Sequence, residues 1–179
     1  MSEETSKSGT QKPLEGDDAI AKVRALLQHF RSAMFVTNQV QARALRVRPM
    51  GLQGDGASFG GTLWFFADDR SSKMDEIASD PATAVLMQND EQNAYLHLAG
   101  RASRVTDRAR MRELFTPLVK IWFPDGPDDP HLTLIRFDAE SGSYWDSPGG
   151  MLRLLGSFTK AMVTGAPGKG GNTGTLSLP

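Results

Sequence analysis

The chain has 179 residues, 39% of them hydrophobic and 23% charged, and a net charge of −1 at pH 7; that suffices for one domain with a sizeable core and is ordinary for a soluble globular protein. No basic excess argues for nucleic acid and no acidic block for a solvating tail. The absence of cysteine excludes disulfides, Cys-ligated zinc and thiol chemistry. There is no apolar run of transmembrane length and no charged-then-apolar signal pattern at the N-terminus, so the expectation is a cytoplasmic protein without a membrane or nucleic-acid partner.

Residues 1–16 are polar, rich in Ser, Glu, Lys and Gly, and read as a disordered N-terminal tail. Asp17 or Asp18 then caps a helix whose apolar face carries Ile20, Val23, Leu27 and Phe30. His29 falls in its last turn and reads as a helix-end histidine. A strand follows over 33–37 (AMFVT), then a tight connection over 38–41. The stretch 42–48 (ARALRVR) alternates small or apolar with basic residues and suits a half-exposed strand, paired with its predecessor as a hairpin and ended by Pro49 and Met50. Five glycines in 51–61 mark a loop.

The aromatic run 63–67 (LWFFA) is a strand. Asp68-Asp69-Arg70 breaks it, and Ser72 is placed to cap a helix over 73–79, with Asp75 at the third position of a capping box and Asp80-Pro81 as the stop. Residues 83–88 form a buried strand, 89–93 a polar turn and 95–105 a longer strand, bulged at Gly100. His97 reads as an ordinary strand histidine. Asp107 caps a helix burying Met111, Leu114, Phe115 and Leu118, divided at Thr116-Pro117 with Pro117 in a first helical position. After a loop over 123–130, residues 132–137 form a strand that 143–146 continues or follows. Residues 151–155 begin a short final element, and the glycine-rich stretch from 166 to 179 reads as a flexible tail. The domain is thus 17–165. Six strands with mostly hairpin-like connections argue against a doubly wound parallel sheet and for a mostly antiparallel barrel with added helices.

Neither G-x-G-x-x-G, a P-loop, G-x-S-x-G nor H-E-x-x-H is present, and three histidines on separate elements give no metal-site spacing. The pairs Asp68-Asp69 and Asp128-Asp129 read as solvated turn carboxylates. What remains is a strand running into a helix N-terminus that carries Ser71, Ser72 and Lys73, a geometry suited to an anion. Arg46 and Arg48 add guanidinium groups suited to phosphate, and Phe65, Phe66 and Trp145 offer faces for a planar heterocycle. The pattern points to a phosphorylated aromatic ligand.

Five motifs in order, R-x-R-P-M at 46–50, L-W-F-F-A-D at 63–68, S-x-K-x-x-E-I ending at Ile77, G-R-A at 100–102 and Y-W-D-S at 144–147, resemble the pyridoxamine phosphate oxidase-like flavoproteins. Within them the chain is most similar to the bacterial general stress protein branch of FMN-binding split barrels. The resemblance implies a six-stranded antiparallel Greek-key split barrel with peripheral helices, dimerising around two FMN molecules. It implies that Arg48, Pro49 and Met50 line the flavin, that Phe66 and Ala67 hold it by backbone, and that Ser72 and Lys73 hold the phosphate with Arg46 or Arg48 opposite. Trp145 of a partner chain would close over the flavin edge. The oxidases carry an R-x-H-type motif after the tryptophan; here Trp145 is followed by DSPGGMLRLL, and Tyr95 stands where they have a glutamine, which argues against pyridoxamine phosphate oxidation. The resemblance leaves two functional classes. One is an FMN-dependent oxidoreductase with an unidentified small-molecule substrate, no catalytic residue being nominated. The other is a non-catalytic protein that stores or senses FMN, or binds a related cofactor such as a deazaflavin.

Overall fold

A computed structural model describes residues 12–146 and 172–179. In chain order these are β1 (Leu14–Glu15), α1 (Gly16–Leu27), β2 (Ser32–Gln39), β3 (Ala44–Gly51), β4 (Thr62–Asp68), α2 (Ser72–Ser79), β5 (Ala82–Asn89), β6 (Ala94–Val105), α3 (Arg108–Leu114), β7 (Leu132–Asp146) and β8 (Asn172–Ser177). The six expected strands are β2 to β7. Their sheet runs β3-β2-β5-β6-β7, with β4 on the far side of β7. One isolated bridge, Gln53 N–H to the Trp64 carbonyl at 3.0 Å, links β4 back to the chain leaving β3. The six strands therefore nearly close into a barrel and stay split between β3 and β4. β5 returns through α2 to lie beside β2, so β5, β2, β3 and β4 take the spatial order of a Greek key.

The inward residues of the alternating strands, Phe35, Leu63, Phe65, Val85, Leu96, Leu98 and Phe137, fill the barrel together with Val23 and Leu26 of α1. A second, smaller cluster of Met111, Leu114, Leu132 and Leu134 lies between α3 and the outer face of β4 and β7. β6 bulges between Ala99 and Gly100, as the glycine suggests: a Cβ at Gly100 would stand 2.0 Å from the Asp138 carbonyl oxygen.

Several expectations are corrected. Asp17 and Asp18 do not cap α1; Glu15 is the N-cap, without a side-chain bond, and the aspartates sit in the first turn, where they complement the helix dipole. Pro49 does not end β3, which runs on to Gly51. As the last strand of the sheet path, β3 has an outer edge where a missing N–H costs no ladder bond. Of the two readings left open for 143–146, continuation holds: β7 is one strand of fifteen residues. Pro117 lies before a 3₁₀ turn over Val119–Ile121 that starts from Leu118, which is exposed. Residues 172–177 of the expected flexible tail form β8, antiparallel to β7 and parallel to β1, and Leu176 and Leu178 are buried. β1 lies within the expected N-terminal tail. The expected element at 151–155 lies outside the described residues.

Candidate functional site

The split has two facing strand edges. β3 ends the sheet path, and β4 pairs with β7 along one edge only. Apart from the Gln53–Trp64 bridge, no strand among the described residues occupies the gap, so alternate backbone N–H and C=O groups on both edges are free of ladder bonds. Arg48, Pro49 and Met50 belong to one edge strand and Phe66 and Ala67 to the other.

A cationic cluster joins β3, β2 and α2. Arg48 faces α2: its guanidinium donates to Thr37 Oγ1 of β2 at 2.8 Å and to Glu76 Oε2 of α2 at 2.7 Å. Thr37 in turn donates to Glu76 Oε2 at 2.5 Å. Thr37 and Glu76 are both buried. Burial works to raise the Glu76 pKa, but the Thr37 hydroxyl, the Arg48 guanidinium and the charges of Arg48 and Arg46 together hold it below the ordinary value. Arg46, on the same face of β3, is exposed and donates to Gln39 Oε1 at 2.8 Å. Lys73 lies one turn before Glu76, half-buried, with Nζ donating to Ser71 Oγ at 2.8 Å. Its pKa is lowered, first by burial and then by the charge of Arg48, against the pull of Asp68 and Glu76. Two cations from different elements thus crowd one spot, which favours an arriving anion.

Ser71, not Ser72, is the N-cap of α2, and its hydroxyl donates to the Asp68 carbonyl at 2.5 Å. Ser72 is the exposed first helical residue, and the capping role expected of Asp75 is absent, since no cap bond reaches it. Asp68 is tied by Arg70, whose side-chain and backbone hydrogen bonds hold its carboxyl well below the usual range.

The remaining candidates divide. Met50 is buried opposite Ala33, and Pro49 is exposed opposite Met34. Ala67 is buried; Phe66 is half-buried on the α3 side of β4, its ring 5.9 Å from that of Phe115. Phe65 does not flank a ligand: it is fully buried, edge-on to Phe35 at 5.1 Å. Trp145 is 49% exposed on β7, between Tyr95 of β6 and Thr173 of β8. Trp145 lies on the outer face of the sheet with Tyr95 and Leu86, whereas Arg48, opposite the buried Phe35, lies on the inner face of β3, so the structure does not bring Trp145 to the Arg48 cluster of its own chain. Sequence reasoning missed Thr37 and Glu76. The signal was present: Glu76 follows Lys73 by three residues and so shares its helix face, and Thr37 is a polar residue at an inward strand position.

The model of the family described as pyridoxamine 5'-phosphate oxidase like matches residues 18–168. The chain belongs to this family. A family match over the whole barrel agrees with the split between β3 and β4, and solved structures share the fold. One, described as a general stress protein 26 from Jannaschia sp. CCS1, is 26% identical with a TM-score of 0.76, covering 89% of this chain and 98% of that one. Another, the general stress FMN/FAD binding protein from Xanthomonas citri, is 26% identical with a TM-score of 0.61 over 70% and 86% of the two chains. Protein bli-3 of Neurospora crassa is 27% identical over 166 residues, 88% of this chain and 78% of that protein. No helix among the described residues is long and apolar enough to cross a membrane.

Proposed function

We propose that this chain binds FMN in the split between β3 and β4, as a homodimer, and uses it for oxidation or reduction of a small molecule. The observation that carries the reading is that Arg48 of the edge strand β3 is bonded to Glu76 of α2, one turn from Lys73 on the same helix, so that two cations from different elements share one spot. The residues fit the group. A terminal phosphate meets two cations and the Ser72 hydroxyl, with Arg46 as a further charge; a flat ring meets edge backbone of Arg48, Pro49 and Met50 on one side and of Phe66 and Ala67 on the other. The naming of a similar protein from Xanthomonas citri as FMN/FAD binding supports a flavin. When bound, FMN supplies the electron transfer; the chain binds and orients it.

The second copy follows from Trp145. Its ring is half-exposed on an apolar outer face with Met34, Leu45, Val47 and Leu86, the face opposite to the one that carries its own chain's Arg48 cluster. It serves the site of the partner. The test is a titration of flavin-free protein with FMN and riboflavin by flavin fluorescence, together with the visible spectrum of the protein as purified. Tight FMN binding is expected, and failure to bind either flavin overturns the proposal. Reduction of the bound flavin by NADH or NADPH, with turnover on an electron acceptor, distinguishes an oxidoreductase from a protein that only stores or senses FMN.

A further inference from the structure

The Thr37–Arg48–Glu76 triangle is more than a salt bridge. Thr37 has one hydrogen to give and lone pairs to receive; it gives to Glu76 Oε2 and receives from Arg48, while Glu76 Oε2 also receives from Arg48. Two of the three bonds end on Glu76 Oε2, the one negative charge of the circuit, and both Thr37 and Glu76 are buried. The circuit uses two of the five guanidinium donors and fixes the plane in which the others point. Lys73, one turn away on the same helix, is repelled by Arg48, so without a buried anion the guanidinium would be driven out toward water.

We propose that Glu76 is the positioning residue of the anion site: through Thr37 and Arg48 it holds the guanidinium beside Lys73, ready for the phosphate of the ligand. The proposal rests on the flavin phosphate reading above. It makes a prediction opposite in sign to simple charge counting. Removing a negative charge from beneath a phosphate strengthens the raw attraction, so Glu76→Gln should tighten FMN binding if Glu76 matters only as a charge. If it positions Arg48, the same substitution loosens binding despite the extra net positive charge.

The experiment is a fluorescence titration of native protein, Glu76→Gln, Arg48→Gln and the double variant with FMN and with riboflavin, at a pH of about 8, above the second phosphate pKa of about 6. Glu76→Gln is expected to weaken FMN about tenfold, as coupled neighbours commonly do, and to leave riboflavin within about twofold. In the Arg48→Gln background it should cause no further loss. Equal or tighter FMN binding by Glu76→Gln, equal losses for both flavins, or losses that multiply in the double variant would each overturn the positioning role while leaving the flavin reading standing. Failure of the native protein to bind FMN would instead defeat the reading on which it rests. Should Glu76→Gln not fold, Thr37→Val removes the hydroxyl of the circuit while keeping the side-chain shape, and the same loss confined to FMN is expected; no loss overturns the proposal.

Discussion

At the scale of single residues, the cationic cluster makes separable predictions. Lys73 is half-buried next to Arg48, so a phosphate placed between them gains charge-assisted contacts worth about 1.5–3 kcal/mol each. Lys73→Ala should weaken FMN roughly ten- to a hundredfold and leave riboflavin, which has no phosphate, nearly unchanged. Equal weakening of both in a fluorescence titration would mean that the lysine acts through the fold. Glu76 links the same cluster to pH. Its folded-state pKa lies below its ordinary value of 4.5, so its stabilising contribution is complete above that value and is lost as the pH falls through the lowered one. The melting temperature of the native protein should therefore fall across this acid range more steeply than that of Glu76→Gln. Identical acid limbs in the two proteins would show that Glu76 carries no such linkage.

At the scale of elements, what the sequence made legible was whatever advertised itself by period or by composition. The stretches of β3 and β6 showed alternation, those of β4 and β5 showed as apolar runs of strand-forming residues, and the bulge at Gly100 was visible as a glycine in a long strand. β8 was hidden because Asn172–Ser177 has few apolar residues and several glycines before it; its order comes from pairing with β7 and from Leu176 and Leu178 settling into the core, a tertiary fact that local composition does not carry. β3 was read too short because Pro49 signals an end, and only the sheet order shows that it is an edge strand, where proline is tolerated. In the candidate site, Lys73, Arg46 and Arg48 were legible as charges at a strand-to-helix junction, whereas the Thr37–Glu76 bond joins residues 39 apart. Two predictions belong here. Leu176→Ala should cost about 2–5 kcal/mol by denaturant unfolding, the range for a buried leucine; a loss under about 0.5 kcal/mol, as for a typical surface substitution, would show that β8 is not integral to the fold. Gly100→Ala, whose Cβ would meet the Asp138 carbonyl oxygen at 2.0 Å, should destabilise by at least about 1–3 kcal/mol through forced backbone shifts, and native stability in that variant would remove the bulge's structural role.

At the scale of the whole molecule, the outer face of the sheet calls for a second copy. Met34 pairs across strands with Leu86, and Val36 with Val47 and Ala84; directly opposed residues share a face, so these side chains form one apolar surface that reaches Trp145 through Leu86, His97 and Tyr95. Leu45 is 69% exposed and Val47 53%. Monomeric proteins rarely leave contiguous apolar patches larger than a few hundred Å² open, while a stable two-fold interface covers at least about 1,000 Å² in total. The expected mass by light scattering at micromolar concentration is therefore about twice the 19.5 kDa of the chain. Val47→Glu places a charge in the centre of that face and should shift the protein toward monomer. On the proposal that Trp145 serves the partner's flavin, the same variant should lose FMN and riboflavin affinity together, and recover both as protein concentration rises. Trp145→Ala should weaken both flavins by similar factors while the dimer persists, since it removes contact with the ring they share. A Val47→Glu monomer that binds FMN as tightly as the native protein would show that each chain holds its flavin alone, and the two-chain site would have to be abandoned even if the dimer were real.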